Sequence, residues 1–304
     1  MTFFGDRGSD DLIAPPSTGT PNLFASRRSR IFTGKRGIAA SAASTLVIVG
    51  AIVALLFVAP GGATFRYTFF DPHYLWLAWT GDPSKGIDSI RDGMVTNIWM
   101  FSLTEVLVLF LGLIIAWCRI STTPVLFPFR VLVTVFSDFF RGVPVLLVVL
   151  MVGYGLPQLD FGFISRLSPD EYGVIALTLT YSAYVSEVIR AGINSIPNSQ
   201  HHAAYSLGLS NASTMRRVIL PQAVRNVIPP LLNDFISLQK DTALVSVLGA
   251  VEAARAAEIF SATVFIQSGI VVAAAFFLVL TIPMTRFTDR LISRDRARRL
   301  ASAP

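Results

Sequence analysis

The stretch SIPNSQHHAAYSLGLSNASTMRRVILPQ, from Ser195 to Gln222, decides how this sequence is interpreted. It is polar, whereas 53% of the 304 residues in the chain are hydrophobic and only 14% are charged. Pro197 suits the first turn of a helix and Gly208 suits its end. Ser210 or Asn211 could cap a second helix. The stretch therefore predicts two short helices, and their role depends on which side of a membrane they lie.

The composition around this stretch indicates a membrane protein. A soluble domain carries about 25% charged residues, and this chain has fewer, with a mean hydropathy of +0.60. The single cysteine, Cys118, excludes an intrachain disulfide. The sequence pI of about 9.8 could suggest a nucleic acid partner. The basic residues lie beside apolar runs, however, so membrane topology explains them better and we expect no nucleic acid partner.

Several apolar runs approach the length of about 20 residues that a helix needs to cross a bilayer. The fifth is interrupted by polar residues and could run on toward Val251. The fold class predicted from these runs is an all-α, polytopic membrane protein with about six transmembrane helices. The runs are Ile38–Ala59, Met94–Trp117, Val131–Gly155, Tyr172–Ile189, Ala223–Leu238 and Ala262–Pro283.

The lysines and arginines predict the orientation of the chain. With the N-terminus in the cytoplasm, the inside segments hold 18 basic residues and the outside segments hold 6. Cytoplasmic segments carry the excess of basic residues in membrane proteins. We therefore expect both termini, and the loop of residues 195–222, in the cytoplasm.

The first predicted helix of this loop could dock on a partner. Ala203 and Leu207 share a face at i,i+4 and Ala204 is adjacent, so a partner's backbone could come close. A solvated loop between two spans is the alternative, and the residues alone leave both open. The N-cap candidates for this helix are Ser195, Asn198 and Ser199.

Four segments carry a resemblance to a known family. HAAYSLGLSNASTMRRVILP resembles the cytoplasmic loop of ATP-binding-cassette importer permeases, whose pattern is Glu-Ala-Ala, three residues, Gly, nine residues, a branched apolar residue, any residue, Leu-Pro. The flanking segments narrow the resemblance to polar amino acid uptake permeases of the type I importer fold. It covers roughly Gly93 to the C-terminus. The flanking segments are FFRGVPVLL at Phe139–Leu147, AYVSEVIRAGINSIP at Ala183–Pro197 and PPLLNDFISLQKDTALVSVLG at Pro229–Gly249.

The resemblance implies a transport subunit of the cell membrane, not an enzyme. Two permease chains, a heterodimer or a homodimer, would join two ATPase subunits and an extracytoplasmic binding protein. ATP and Mg would be held by the ATPases, because this chain has no Gly-x-x-x-x-Gly-Lys-Ser/Thr loop, and no cofactor is expected here. A polar amino acid, glutamate or glutamine, would be the substrate. The residues expected to couple to the ATPase are His202, Ala203, Ala204, Gly208, Leu220 and Pro221.

Composition, predicted topology and the resemblance together divide the chain. Residues 1–37 are predicted to be a disordered basic cytoplasmic tail and 38–59 an extra N-terminal transmembrane helix. Residues 60–93 would form an extracytoplasmic loop. Residues 94–290 would form the permease core with the coupling loop 195–222, and 291–304 a basic cytoplasmic tail.

His202 departs from the family pattern, which has Glu at this position. In the family that acid can pair with a basic group of the ATPase. A histidine offers no fixed negative charge, so this ion pair is not expected here. A second permease chain that carries the Glu would accommodate the difference.

Polar residues interrupt the apolar runs, and the resemblance places those from Asn233 to Asp241 at the translocation path. A broken helix end in water is the alternative for this segment. Charged groups at membrane depth are costly and usually face a bundle interior or a water-filled cavity. Two i,i+3 pairs, Asp138–Arg141 and Glu187–Arg190, are instead expected to be structural ion pairs. Glu105 could alternatively serve as an interhelical hydrogen-bonding group. The candidates for the path are Glu105, Asn233, Asp234, Ser237, Lys240 and Asp241.

Two other function classes remain open from the residues alone. An ion-coupled secondary transporter could use Glu105 or Asp234, and an adaptor could dock an ATPase without transporting anything. The histidines His73, His201 and His202 lack the spacing of metal ligands, so no metal site is expected.

Overall fold

The computed structural model describes residues 35–121, 123–160 and 162–301. Most of the predicted tail of residues 1–37 lies outside these described residues. Within them every regular element is a helix, apart from one isolated antiparallel bridge between Asp82 and Ile87. The predicted all-α fold class is therefore confirmed.

The chain divides into two compact units, with the boundary after Ala63. Helix α1 of the first unit spans Lys35–Val58. Its stretch Ala39–Val58 has a mean hydropathy of 2.5, which is high enough to cross a membrane. The predicted span Ile38–Ala59 agrees with this helix.

Eleven further helices are found in the described residues, all but the start of the first lying in the second unit. Tight 3-10 turns lie between several of them, and a π-helical turn, Met215–Ile219, precedes α10. The helices are α2 Gly62–Phe70, α3 Pro72–Thr80, α4 Ile90–Ile120, α5 Phe127–Gly142, α6 Val145–Gly155, α7 Pro169–Asn194, α8 Asn198–Ser206, α9 Asn211–Thr214, α10 Leu220–Asp241, α11 Ala253–Val264 and α12 Ser268–Ala301.

Helix α7 is the centre of the second unit and packs against α4, α5, α6 and α10. It starts at a capping box in which the Ser168 backbone N–H donates to the Glu171 carboxylate at 2.7 Å. Glycines bring the neighbouring segments close. A Cβ on Gly173 would overlap the side chain of Val245, and a Cβ on Gly112 of α4 would lie 2.7 Å from Val185. Small residues at such crossings let helices pack closely within a membrane.

The predicted span Val131–Gly155 is not one continuous helix. The chain instead forms α5 and α6, which are bent by 111° relative to each other. The bend lies at Gly142, Val143 and Pro144. Pro144 has no backbone N–H and disfavours a helical conformation of the preceding residue. Val143 is accordingly extended, with φ −93° and ψ 132°.

Among the described residues, α1, α4, α7 and α12 are each long and apolar enough to cross a membrane, and the bent pair α5–α6 would be a fifth. Helix α10 contains the predicted fifth span but lies outside this set because its polar residues lower its hydropathy. It ends at Asp241 and does not run on toward Val251. The sixth span was predicted to begin at Ala262, but its helix, α12, begins at Ser268. Helix α12 continues through Pro283 as far as Ala301. The architecture is roughly consistent with about six helices.

A second hydrophobic cluster joins α3, α11 and α12 to the start of α4. Its buried members include Ala78, Ile90 and Phe260. Trp79 of α3 stacks on Phe276 of α12, with ring centroids 6.2 Å apart. The predicted loop of residues 60–93 is thus largely helical and packed, and this end of the bundle lies opposite the end that carries α8.

Candidate functional site

The predicted coupling loop is a helix pair with a defined bend. Helix α8 ends in a Schellman motif, in which the Leu209 N–H donates to the Ala204 carbonyl at 3.1 Å and the Gly208 N–H donates to the Tyr205 carbonyl at 2.9 Å. Gly208 has φ +77°, a left-handed conformation that glycine adopts without strain. The predicted helix end at Gly208 is therefore correct, and the bend fixes where α9 begins.

The caps of the two helices differ. Ser210 caps α9 by accepting from the Ser213 N–H at 3.3 Å, as predicted. The N-cap of α8 is Pro197, and no side chain in the described residues caps it. The predicted caps Ser195, Asn198 and Ser199 are therefore wrong for α8. Ser195 instead donates to the Gly192 carbonyl at 2.7 Å and closes the end of α7.

Helix α8 exposes only part of the face that was expected to meet a partner. Ala204 is 3% exposed and is buried by this chain itself. His202 and Ala203 are exposed. Tyr205 and Leu207 are 44% and 81% exposed. The surface left for a partner therefore includes His202, Ala203, Tyr205 and Leu207, whereas Ala204 packs inside this chain.

The loop is seated firmly on the ends of α7 and α10. Ile196, Ile219 and Ala223 form a small buried cluster beneath it. The Asn226 side-chain amide donates to the Ser195 hydroxyl at 2.9 Å and so ties α10 to the end of α7. Helix α8 itself packs on the π-helical turn Met215–Ile219 and on α9. Leu220 and Pro221, the last predicted coupling residues, are exposed at the start of α10.

A cluster of one acid and three arginines lies near the same end of the bundle. The Glu187 carboxylate of α7 accepts from Arg119 of α4 at 2.9 Å and lies 3.3 Å from Arg141 of α5. It also pairs with Arg190, the predicted i,i+3 partner. The predicted Asp138–Arg141 pair is wrong, because Arg141 reaches across to Glu187. Three helices thus meet at one carboxylate.

Two of the predicted path residues lie near each other on facing helices. Glu105 of α4 and Asp234 of α10 are both half-buried. The two helices are in contact beside them, since the ring centroids of Phe101 and Phe235 lie 4.7 Å apart. Among the described residues, the Oδ2 atom of Asp234 is buried without a hydrogen-bond partner. The adjacent Asn233 is exposed.

The remaining path candidates lie further along α10. Lys240 is exposed and Ser237 is half-buried. Asp241 accepts a hydrogen bond from the Tyr181 hydroxyl of α7 at 2.7 Å. Asp241 therefore has a structural partner, whereas Asn233 and Lys240 share the exposed side of α10.

The structure adds a buried polar network that the sequence reasoning missed. Glu252 is fully buried and caps α11 by accepting from the Ala254 and Arg255 N–H groups at 2.9 and 2.8 Å. Asn97 of α4 donates to Glu252 at 3.1 Å and to the Thr242 hydroxyl at 3.0 Å, and accepts from the Ala253 N–H. This network joins α4 to the chain after α10, at the end of the bundle opposite α8.

The structure combines a bundle of apolar helices with an exposed pair of short helices, α8 and α9, between the ends of α7 and α10. This arrangement is typical of a membrane transport subunit that a separate protein drives. The chain belongs to the family described as binding-protein-dependent transport system inner membrane component, whose model matches residues 108–296. It is a multi-pass membrane permease subunit of an ATP-binding-cassette importer and works with an ATPase and other subunits. It is not an enzyme, since ATP hydrolysis occurs in the separate ATPase.

Particular relatives agree with this family. The chain is 34% identical over 209 residues to the arginine transport system permease protein ArtQ of Bacillus subtilis, covering 68% of this chain and 92% of that protein. It is 36% identical over 176 residues to the probable glutamine ABC transporter permease protein GlnM of the same organism, covering 58% and 78%. These relationships favour the importer over an ion-coupled secondary transporter.

Solved structures show the same fold. An amino acid ABC transporter crystallised with histidines matches with a TM-score of 0.62 and 31% identity, covering 67% of this chain and 93% of that chain. The inward-facing MetNI methionine ABC transporter matches with a TM-score of 0.53 at 14% identity, which shows the likeness of the fold alone.

Proposed function

We propose that this chain translocates a polar amino acid that an extracytoplasmic binding protein delivers. Separate ATPase subunits, which hold ATP and Mg, would drive the step by acting on α8. The observation that carries the proposal is the exposed surface of His202, Ala203, Tyr205 and Leu207 on a helix that packs on the π-helical turn leading into α10. A second permease chain, identical or different, would complete the pathway.

The path would follow α10, which starts beside the docking loop. Asn233, Asp234, Ser237 and Lys240 lie along this helix, and Glu105 faces it from α4. Polar groups are tolerated at this depth where they line a cavity. Movement of α8 would reach α10 through α9 and the π-helical turn, which continue into α10 without a break.

Glutamate and glutamine are our substrate proposals, and arginine joins them because of the relative named for it. Proteoliposomes with the complete transporter and its binding protein would measure uptake of each labelled amino acid. Uptake should require the ATPase and should continue when proton and sodium gradients are collapsed. Uptake that needs an ion gradient and no ATPase would support a secondary carrier instead.

The docking surface can be tested by one substitution with a matched control. Ala203→Asp would place a carboxylate in the contact with the ATPase, where desolvating the charge is costly. ATPase stimulation should be lost while the chain still inserts in the membrane. Ala212→Asp, at an exposed alanine of α9, should retain stimulation. Normal stimulation in the Ala203 variant would exclude docking through α8.

We also propose that the protein lies in the cell membrane with both termini and α8 in the cytoplasm. The support is the distribution of 18 basic residues inside and 6 outside. In a Cys118→Ser background, a cysteine at exposed Ser84 should react with an impermeant reagent added to intact cells. A cysteine at exposed Ser199 should not, and its labelling from outside would reverse the orientation.

A further inference from the structure

A cavity of about 320 Å³ lies at the end of the bundle opposite α8. Its wall includes Tyr154 at the end of α6, Ser246 and Gly249 of the turn that follows α10, and Arg255 and Glu258 of α11. Small-molecule sites begin at about 300 Å³. The volume therefore suits a ligand as small as an amino acid.

Packing holds the walls of this cavity in place. A Cβ on Gly153 of α6 would overlap the side chain of Leu248, so the helix and the turn are in close contact there. The Tyr154 hydroxyl donates to the Val247 carbonyl at 3.1 Å. On the other side, the buried Glu252 fixes the start of α11 through the Ala254 and Arg255 N–H groups.

The charged groups of the cavity have the pattern that an amino acid zwitterion requires. The Arg255 guanidinium and the Glu258 carboxylate lie 2.9 Å apart, and their side chains are 43% and 59% exposed. An exposed pair of this kind contributes little to stability, so a ligand can separate its members at small cost. A guanidinium binds a carboxylate through two parallel hydrogen bonds, and a carboxylate accepts from an ammonium.

We propose that this cavity is a receiving site for the substrate, in which Arg255 binds the α-carboxylate and Glu258 binds the α-ammonium of a free amino acid. The site recognises the zwitterion and leaves the substrate side chain toward Tyr154 and Ser246. It lies beside the 3-10 turn that follows Lys240 and Asp241, the last polar residues of α10. The inference rests on the proposed function, since it places the site at the extracytoplasmic mouth of the path.

The test uses the permease–ATPase complex in nanodiscs without the binding protein. The probes are L-glutamine and L-arginine, each with its N-acetyl derivative, which lacks the ammonium, and its α-amide, which lacks the carboxylate. Affinities are measured by saturation-transfer NMR. Wild type should prefer each free amino acid over both derivatives by about tenfold, the usual effect of losing one charged hydrogen-bonding partner.

Arg255→Gln and Glu258→Gln should each abolish a different one of these two preferences. Arg255→Gln should abolish the preference over the α-amide and retain that over the N-acetyl derivative. Glu258→Gln should do the reverse. Arg255→Lys keeps a cation and should retain both preferences, which separates recognition from a folding defect. Lys85→Gln is the matched control. Lys85 is exposed and forms an i,i+3 pair with Asp82, with 3.1 Å between the charged atoms, and neither residue lines the cavity.

Several results would overturn the inference. The first two are no binding to wild type and unchanged preferences in both glutamine variants. The third, from a separate titration of the same nanodiscs with the binding protein, is reduced affinity for that protein with unchanged amino acid affinity. The last result would make the Arg255–Glu258 surface a contact for the binding protein. ATP-dependent uptake by wild type with its binding protein tests the proposed function separately, so transport can be intact while the receiving site fails.

Discussion

Replacing Glu187 with Gln removes the single acid that holds three arginines together. Arg119 is 8% exposed and the Glu187 side chain is 18% exposed, so this ion pair is largely buried. Arg141 and Arg190 are 36% and 35% exposed, so water can hydrate their guanidinium groups when the Glu187 carboxylate is removed. The cost of the substitution therefore lies mainly at Arg119.

The magnitude follows from burial. Removing one partner of a buried ion pair costs about 3–5 kcal/mol, whereas an exposed pair contributes about 0–1 kcal/mol. Because Glu187 is not fully buried, we expect the lower end, about 3 kcal/mol of unfolding free energy. The double variant Glu187→Gln/Arg119→Gln no longer has the buried unpaired charge. It should therefore regain about 2 kcal/mol or more of the unfolding free energy that the single variant loses.

Reversible unfolding of the permease in mixed micelles would measure these free energies. Asp138→Asn is the control, because Asp138 is exposed at the edge of the cluster, and it should change stability by less than about 0.5 kcal/mol. A Glu187→Gln protein as stable as wild type, or a double variant no better than the single one, would refute the reasoning. The single variant should also weaken ATPase stimulation, because α7 ends close to α8.

Three further substitutions test the packing. Gly192→Ala should cost about 1–3 kcal/mol, because its Cβ would overlap the side chain of Val227; Gly142→Ala, with open space around it, should show no packing loss in the same unfolding assay. Glu252→Ala should cost about 2–3 kcal/mol by removing the cap of α11 and leaving buried donors unpaired, measured as a fall in the denaturation midpoint. Gly208→Ala should cost about 1–2 kcal/mol because of its left-handed backbone, and should loosen α8 to proteolysis without preventing membrane insertion.

The sequence predicted those helices whose apolar runs are long. The runs within α1, α4 and α7 are continuous, and each was found at nearly its predicted place. The bend before Pro144 was missed because the span was chosen by its hydropathy over about 20 residues. Such an average does not register the three residues at which the chain turns. A local signal, the Gly142-Val143-Pro144 sequence, was nevertheless present.

The polar contacts were harder to predict because their partners are distant in sequence. The i,i+3 rule paired Arg141 with Asp138, yet the nearer acid in space was Glu187 of another helix. Glu252 was not among the candidates, because no local pattern marks it and its bond to Asn97 crosses 155 positions. Ala204 shared the apparent docking face of α8, and only the structure shows that its own chain covers it.

The separation between Asn97 and Glu252 also sets an order of events during synthesis. Helix α4 leaves the ribosome long before α11 exists, so the Asn97 amide enters the bilayer without the acceptors that it has in the finished protein. Until Thr242 and Glu252 have been synthesised, the Asn97 amide at the start of α4 must hydrogen-bond to water or lie in the interfacial region of the bilayer. A chain truncated before Thr242 would lack both side-chain acceptors of the Asn97 amide.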